Sequence, residues 1–309
     1  MKLASEKQAF NPRDEAAAER LRALVRSASI EATPRQILTA EDLSDLLPEG
    51  TCVYVPFLPK GHFSDTLEAC RHLLNMGLQP IPHVPARMAE SRGQLRDWLA
   101  QLDESRVDRL LLIAGDSDAV VGPFPDTLAV LESGLLAQFR FHGIGVAAHP
   151  EGHPMADRAT LTQALSVKRE YARTTATRLW VVTQFTFDAE VVIDWLQSLG
   201  NILEEVPVYI GMAGPTRVKT LIAYAAQCGV GVSARMMLRR PGSARLLSAW
   251  TPDGMVRPLV QYCLDNPDTL LRGIHLFPFG GLRQSAQWIQ QHSGSVEGQR
   301  GRRHESSVQ

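Results

Sequence analysis

The feature that most constrains this chain is a recurrence. Eight short β-branched or apolar runs (SASIEA, TCVYVPFL, LQPIPHVPA, RLLLIAGD, FHGIGVAAHP, LWVVTQFTF, VPVYIGMAG and GIHLFPFGG) alternate with stretches of helical pattern. Runs that are apolar at almost every position suit strands covered on both faces, and such strands belong to parallel sheets with helical crossovers. The intervening segments agree: DTLEACRHLLNMG sets Leu67, Cys70, Leu73 and Leu74 on one helical face and stops at a glycine. Eight such units are the number that closes a barrel, so the expected fold is a (β/α)8 barrel. The alternative, an open doubly wound sheet, lacks its mark: no Gly-rich phosphate turn follows the first strand, and no GxGxxG stands at a strand-to-helix junction.

At 309 residues the chain suits one such domain. Residues 1–26 read as an N-terminal helical extension with Ala17, Leu21 and Leu24 at helical spacing, residues 27–292 as the barrel, and residues 293–309, polar and without periodicity, as a disordered tail. With 44% hydrophobic and 21% charged residues, a large core can be buried. A formal net charge of -1 offers no footprint for nucleic acid or an anionic membrane. Cys52, Cys70, Cys228 and Cys263 form no CxxC pair, which fits a reducing cytoplasm better than a zinc knuckle or a disulfide scaffold. No signal peptide or membrane span is expected, and homo-oligomerisation stays open.

In a barrel the chemistry sits where the strands end. Those ends carry Glu31, Phe57, His83, Asp116, the cluster His149, Glu151 and His153, Gln184, Gly211 with Gly214, and Gly280 with Gly281. A carboxylate that follows an apolar run loses solvation, which is one way to obtain a general acid near neutrality. Asp116 could instead cap the next helix. Glu31 is a poorer cap, and Pro34 reads as a loop turning away. His149, Glu151 and His153 could ligate zinc or iron, but Pro150, Gly152 and Pro154 make the span a turn, not the helix on which such a pair converges. Phe185 and Phe187, which follow Gln184 at strand period, read as core. GxSxG and GxxxxGK[ST] are absent, which disfavours acyl transfer and phosphoryl transfer from ATP.

The order of motifs, SIEATPR, LLIAGD, GVAAHPEGHP, VVTQFTFD and VYIGMAGP, resembles the methylenetetrahydrofolate reductase family over roughly Ser27 to Trp288. The resemblance implies a barrel in which FAD lies across the strand ends. Hydride would pass between NAD(P)H, flavin and a tetrahydrofolate-bound carbon. Glu31 falls at the family's general acid. Asp116 matches the carboxylate that holds the pterin and tunes the flavin, and Gln184, with Phe279, falls to the folate. Phe57, His83, Gly115, Asp116, His149, Glu151, His153, Ser166, Lys168 and Arg169 fall to the flavin, and no metal is implied.

The chain departs from the family pattern at several places. Ala114 stands where an arginine precedes Gly115-Asp116, and Pro56-Phe57 replaces a Thr-Tyr pair. His149 replaces a tyrosine, Ser166 and Gln163 stand where Asn and Asp are frequent, and Val218 replaces an aromatic. HLFPFGGLRQSAQW replaces the usual last-strand ending. The expected activity is interconversion of 5,10-methylenetetrahydrofolate and 5-methyltetrahydrofolate. The alternatives are a folate-binding barrel without flavin or redox chemistry, and a metal-dependent hydrolase built on His83, His149 and His153.

Overall fold

The structure, a computed structural model, describes residues 12–39, 43–58, 61–115, 119–227 and 249–294. Eight parallel strands close into a barrel, as the eight runs predict. In chain order they are β1 (Ser29–Glu31), β2 (Cys52–Val55), β3 (Gln79–Pro85), β4 (Arg109–Ile113), β5 (Gly143–Ala148), β6 (Arg178–Thr183), β7 (Val208–Ala213) and, after a short antiparallel pair β8 (Thr216–Arg217) and β9 (Ala249–Trp250), the closing strand β10 (Leu271–Phe277). Ser29 pairs with His275 and Ile30 with Val53, so β1 joins first strand to last and leaves the barrel no open edge.

Alternation along each strand divides the core in two. Ile30, Val53, Val55, Leu110, Leu112, Val146 and Ile210 face outward into the layer beneath the helices. Tyr54, Ile81, Leu111 and Val182 face inward and pack the barrel interior. Both faces are therefore apolar, which is why the strands read as continuous runs. The helices around them are α1 (Pro12–Arg26), α2 (Pro34–Thr39), α3 (Phe63–Asn75), α4 (Arg92–Glu104), α5 (Thr127–Glu132), α6 (Arg158–Thr175), α7 (Ala189–Ser198), α8 (Val218–Gln227), α9 (Asp253–Asp265) and α10 (Leu282–Ser293).

In α3, Leu67, Cys70 and Leu73 are buried as their spacing predicts, and Gly77 at φ 72° ends the helix in the left-handed region. The N-terminal extension joins the outer ring: α1 packs on α9 and α10 with Leu24 and Val25 in the core, and Ser27 Oγ donates to Arg272 O at 2.8 Å. One local expectation fails. Pro34 does not mark a loop but opens α2, because proline suits a first helical turn and Thr33 with Gln36 forms a reciprocal cap at 2.9 and 3.3 Å. The tail expected to be disordered, residues 293–309, starts within α10, whose last residue is Ser293; residues 295–309 and Cys228 lie outside the described residues. No helix among the described residues is long and apolar enough to cross a membrane.

Candidate functional site at the C-terminal mouth

The strand ends enclose a cavity of about 640 Å³. Among its lining residues are Glu31, Phe57, His83, Gly115, His149, His153, Gln184 and Phe279, so the fold gathers most of the residues singled out from sequence. Asp116 lies outside the described residues. Glu31 closes β1 with its side chain 23% exposed, and its Oε2 is 3.7 Å from Nε2 of His83 on β3. That nitrogen is buried and has no hydrogen-bond partner. Burial pushes the His83 pKa down to about 4, so at neutral pH Glu31 faces an uncharged ring.

Beneath this pair, polar groups continue down the barrel axis. His275 on β10 is 1% exposed, and its Nδ1 shares a hydrogen bond with Ser29 Oγ at 2.8 Å. Burial, with His83 nearby, takes its pKa to about 3. Its ring lies 4.4 Å from that of Tyr54, whose hydroxyl accepts from Trp180 Nε1 at 2.7 Å. Burial holds the tyrosine proton far above its usual range. A buried polar set persists only when its members satisfy one another, and here the one orphan, His83 Nε2, lies at the cavity.

The opposite wall carries Gln184 at the end of β6. Its backbone N–H donates to Ala148 O at 2.8 Å and its side-chain oxygen accepts from Phe185 N–H at 3.0 Å, which fixes the amide at the rim. Phe185 is core, as expected, and is 1% exposed. Aromatic rings floor the remaining side: Phe279 packs against Phe185 at 4.8 Å and Tyr224 at 4.5 Å. Phe279 holds φ at 47°, a region side chains rarely occupy, and such strain gathers at functional sites. Phe57 is anchored outward on Trp98, with ring centroids 5.5 Å apart.

A second cavity of about 720 Å³ opens sideways between α5 and α6 and shares Ile113, Ala114, Ala147, His149 and His153 with the first. Lys168 reaches into it from α6, 7% exposed. Burial lowers its pKa to about 8 against the pull of the Asp126 carboxylate, and its ammonium has no ion pair among the described residues. His149, its pKa lowered to about 4 by burial and by His153 and Lys168, meets the His153 ring edge-on at 4.7 Å. No group of three His, Cys, Asp or Glu able to hold a metal ion occurs among the described residues.

Three residues drawn from the resemblance do not reach these cavities. Glu151 sits in the turn after β5, Ser166 lies on α6 outside both linings, and Arg169, one step past Lys168, turns away to pair with Glu204. Conversely, His275, Phe277 and Tyr224 line the mouth without having been singled out. For His275 a signal existed: an imidazole within an apolar strand run, at inward parity. For Tyr224, on a helix between the seventh and eighth barrel strands, none did.

No family model matches the sequence. Among solved structures, the barrel is similar to an uncharacterised Clostridium thermocellum protein that binds two copies of 5-methyl-5,6,7,8-tetrahydrofolic acid. The TM-score is 0.57 at 11% identity, over 91% of this chain and 97% of that one. Lower likenesses include tryptophan synthase from M. tuberculosis, with TM-score 0.45 at 10% identity over 94% and 99% of the two chains. Dihydropteroate synthase from Thermus thermophilus gives TM-score 0.43 at 14% identity over 85% and 92%. At 11% identity the first of these likenesses establishes the barrel and nothing finer.

Proposed function

We propose that the chain binds a reduced folate at the C-terminal mouth. The observation that carries this reading is the pairing of Glu31 and Gln184 on opposite walls of a 640 Å³ cavity floored by aromatic rings. A pterin presents a planar face for stacking and an edge of N–H donors beside a carbonyl acceptor. A carboxylate and an amide complement that edge, and buried polar groups left unmatched would reject a ligand lacking it. The family motifs in the sequence and the folate-binding barrel of similar fold support the same ligand. Titration calorimetry with 5-methyltetrahydrofolate tests it. Saturable binding that weakens at least tenfold in both Glu31→Gln and Gln184→Ala is expected, and undiminished binding in both variants refutes the site.

A second reading adds hydride transfer between NAD(P)H and the folate carbon through FAD, and the side cavity favours it. Lys168, buried with no ion pair among the described residues, and the adjacent His149 and His153 suit the diphosphate of a dinucleotide, so the residues present fit the group. Bound there, the flavin would supply the hydride chemistry. The protein's part is to seat the folate and to hold a proton at Glu31 for the nitrogen of the opening ring. Uptake of FAD, seen as bands at about 380 and 450 nm, separates this reading from folate binding alone.

A further inference from the structure

We propose that the opposite, N-terminal mouth of the barrel is a second ligand site, built for a small planar aromatic anion. This inference stands independently of what the C-terminal mouth binds. The end holds a cavity of about 430 Å³, inside the usual span of small-molecule pockets, roughly 300–1,000 Å³. In most barrels packed only for stability this end is filled by branched aliphatic side chains. Here it is not.

Arg109, Gly143 and Arg178 are register partners on β4, β5 and β6. Register partners on adjacent strands face the same side, so two guanidinium groups enter the mouth on either side of a residue with no side chain, their Cα atoms about 10 Å apart. Arg109 Nε is 4.0 Å from Asp108 and its Nη1 3.8 Å from Cys52 Sγ, both weak contacts. Arg178 has no ion pair among the described residues. A third lining cation, Arg26, is already held by Glu19 at 2.9 Å. Glu49 is the carboxylate in the lining, so positive charge prevails.

Two aromatic rings supply the flat surface. The Trp180 indole lies across β5, where a Cβ on Gly143 or Gly145 would come within 2.9 or 2.7 Å of it. Tyr209 lies in the same way against Gly273, where a Cβ would be 2.9 Å from its ring. Glycine at these inward positions keeps both rings against the wall and the space between them open. Flat rings take an aromatic ligand, and planar guanidinium forks take the paired oxygens of a carboxylate, sulfonate or phosphate.

The test is calorimetric titration of the full-length protein with naphthalene-2-sulfonate, beside the uncharged naphthalene-2-sulfonamide of the same shape. Saturable binding of the sulfonate is expected, at least tenfold tighter than the sulfonamide, lost at least tenfold in Arg109→Met and Arg178→Met and unchanged in Gln184→Ala at the other mouth. Arg178→Lys, which keeps the charge but not the fork, should fall between; circular dichroism confirms that each variant is folded. Absence of saturable binding overturns the proposal. So does equal binding of the sulfonamide, indifference to both arginine substitutions, or loss in Gln184→Ala, which would place the probe at the C-terminal mouth.

Discussion

The barrel holds three imidazoles in the neutral form, and that makes it acid-sensitive in a calculable way. His275 has its pKa at about 3, and His83 and His149 at about 4, against about 6.5 in an unfolded chain. A folded-state pKa below the unfolded one means that the unfolded chain takes up the proton first. The stability these groups contribute is complete above pH 6.5 and is lost as pH falls toward the folded values. Between pH 7 and pH 5 one such histidine accounts for about 2 kcal/mol, because each pH unit below the unfolded pKa is about 1.4 kcal/mol. His83 and His149, less deeply buried than His275, contribute somewhat less, for a total on the order of 5 kcal/mol. Urea denaturation followed by circular dichroism at the two pH values measures this. His275→Asn isolates one group, since the amide keeps a polar atom near Ser29 Oγ. Whatever the variant costs at pH 7, the loss between pH 7 and pH 5 should shrink by about 2 kcal/mol. An unchanged loss refutes the claim that His275 is buried neutral.

Two other perturbations follow from single contacts. Gly145→Ala sets a methyl 2.7 Å from the Trp180 indole; displacing the ring strains the Trp180–Tyr54 hydrogen bond and should cost about 1–3 kcal/mol, read as a lower Tm, and an unchanged Tm would show that the ring does not lie there. Lys168→Met removes a buried ammonium with no ion pair among the described residues, whose depressed pKa marks a cost fully present at pH 7. Stability should rise on the order of 1 kcal/mol, while any uptake of FAD falls; a loss of stability would contradict the burial argument.

The sequence disclosed the barrel because the physics that hides strands on both faces also makes them continuous in apolar residues. Each of the eight runs falls on one barrel strand, down to the three residues of β1. Glu31 and Gln184 were legible as polar residues ending such runs, and the structure sets both on the mouth cavity. Helical phase was harder. Lys168 and Arg169 are neighbours in sequence, but a turn of about 100° per residue sends one into the side cavity and the other outward to Glu204. The polar axis was illegible for another reason: Ser29, Tyr54, Trp180 and His275 come from four separate strands, and only closure of the barrel brings them together. The inward glycines Gly143, Gly145 and Gly273 were illegible too, because their use in admitting Trp180 and Tyr209 depends on partners distant in sequence.

The central claim is that a pterin sits between Glu31 and Gln184, and the most direct measurement is a crystal structure of the protein grown with 5-methyltetrahydrofolate. Density for the ring system in the C-terminal mouth, its edge within hydrogen-bond distance of the Glu31 carboxylate and the Gln184 amide, is the predicted result. A mouth empty of ligand at saturating folate, or a ring bound elsewhere, would contradict it.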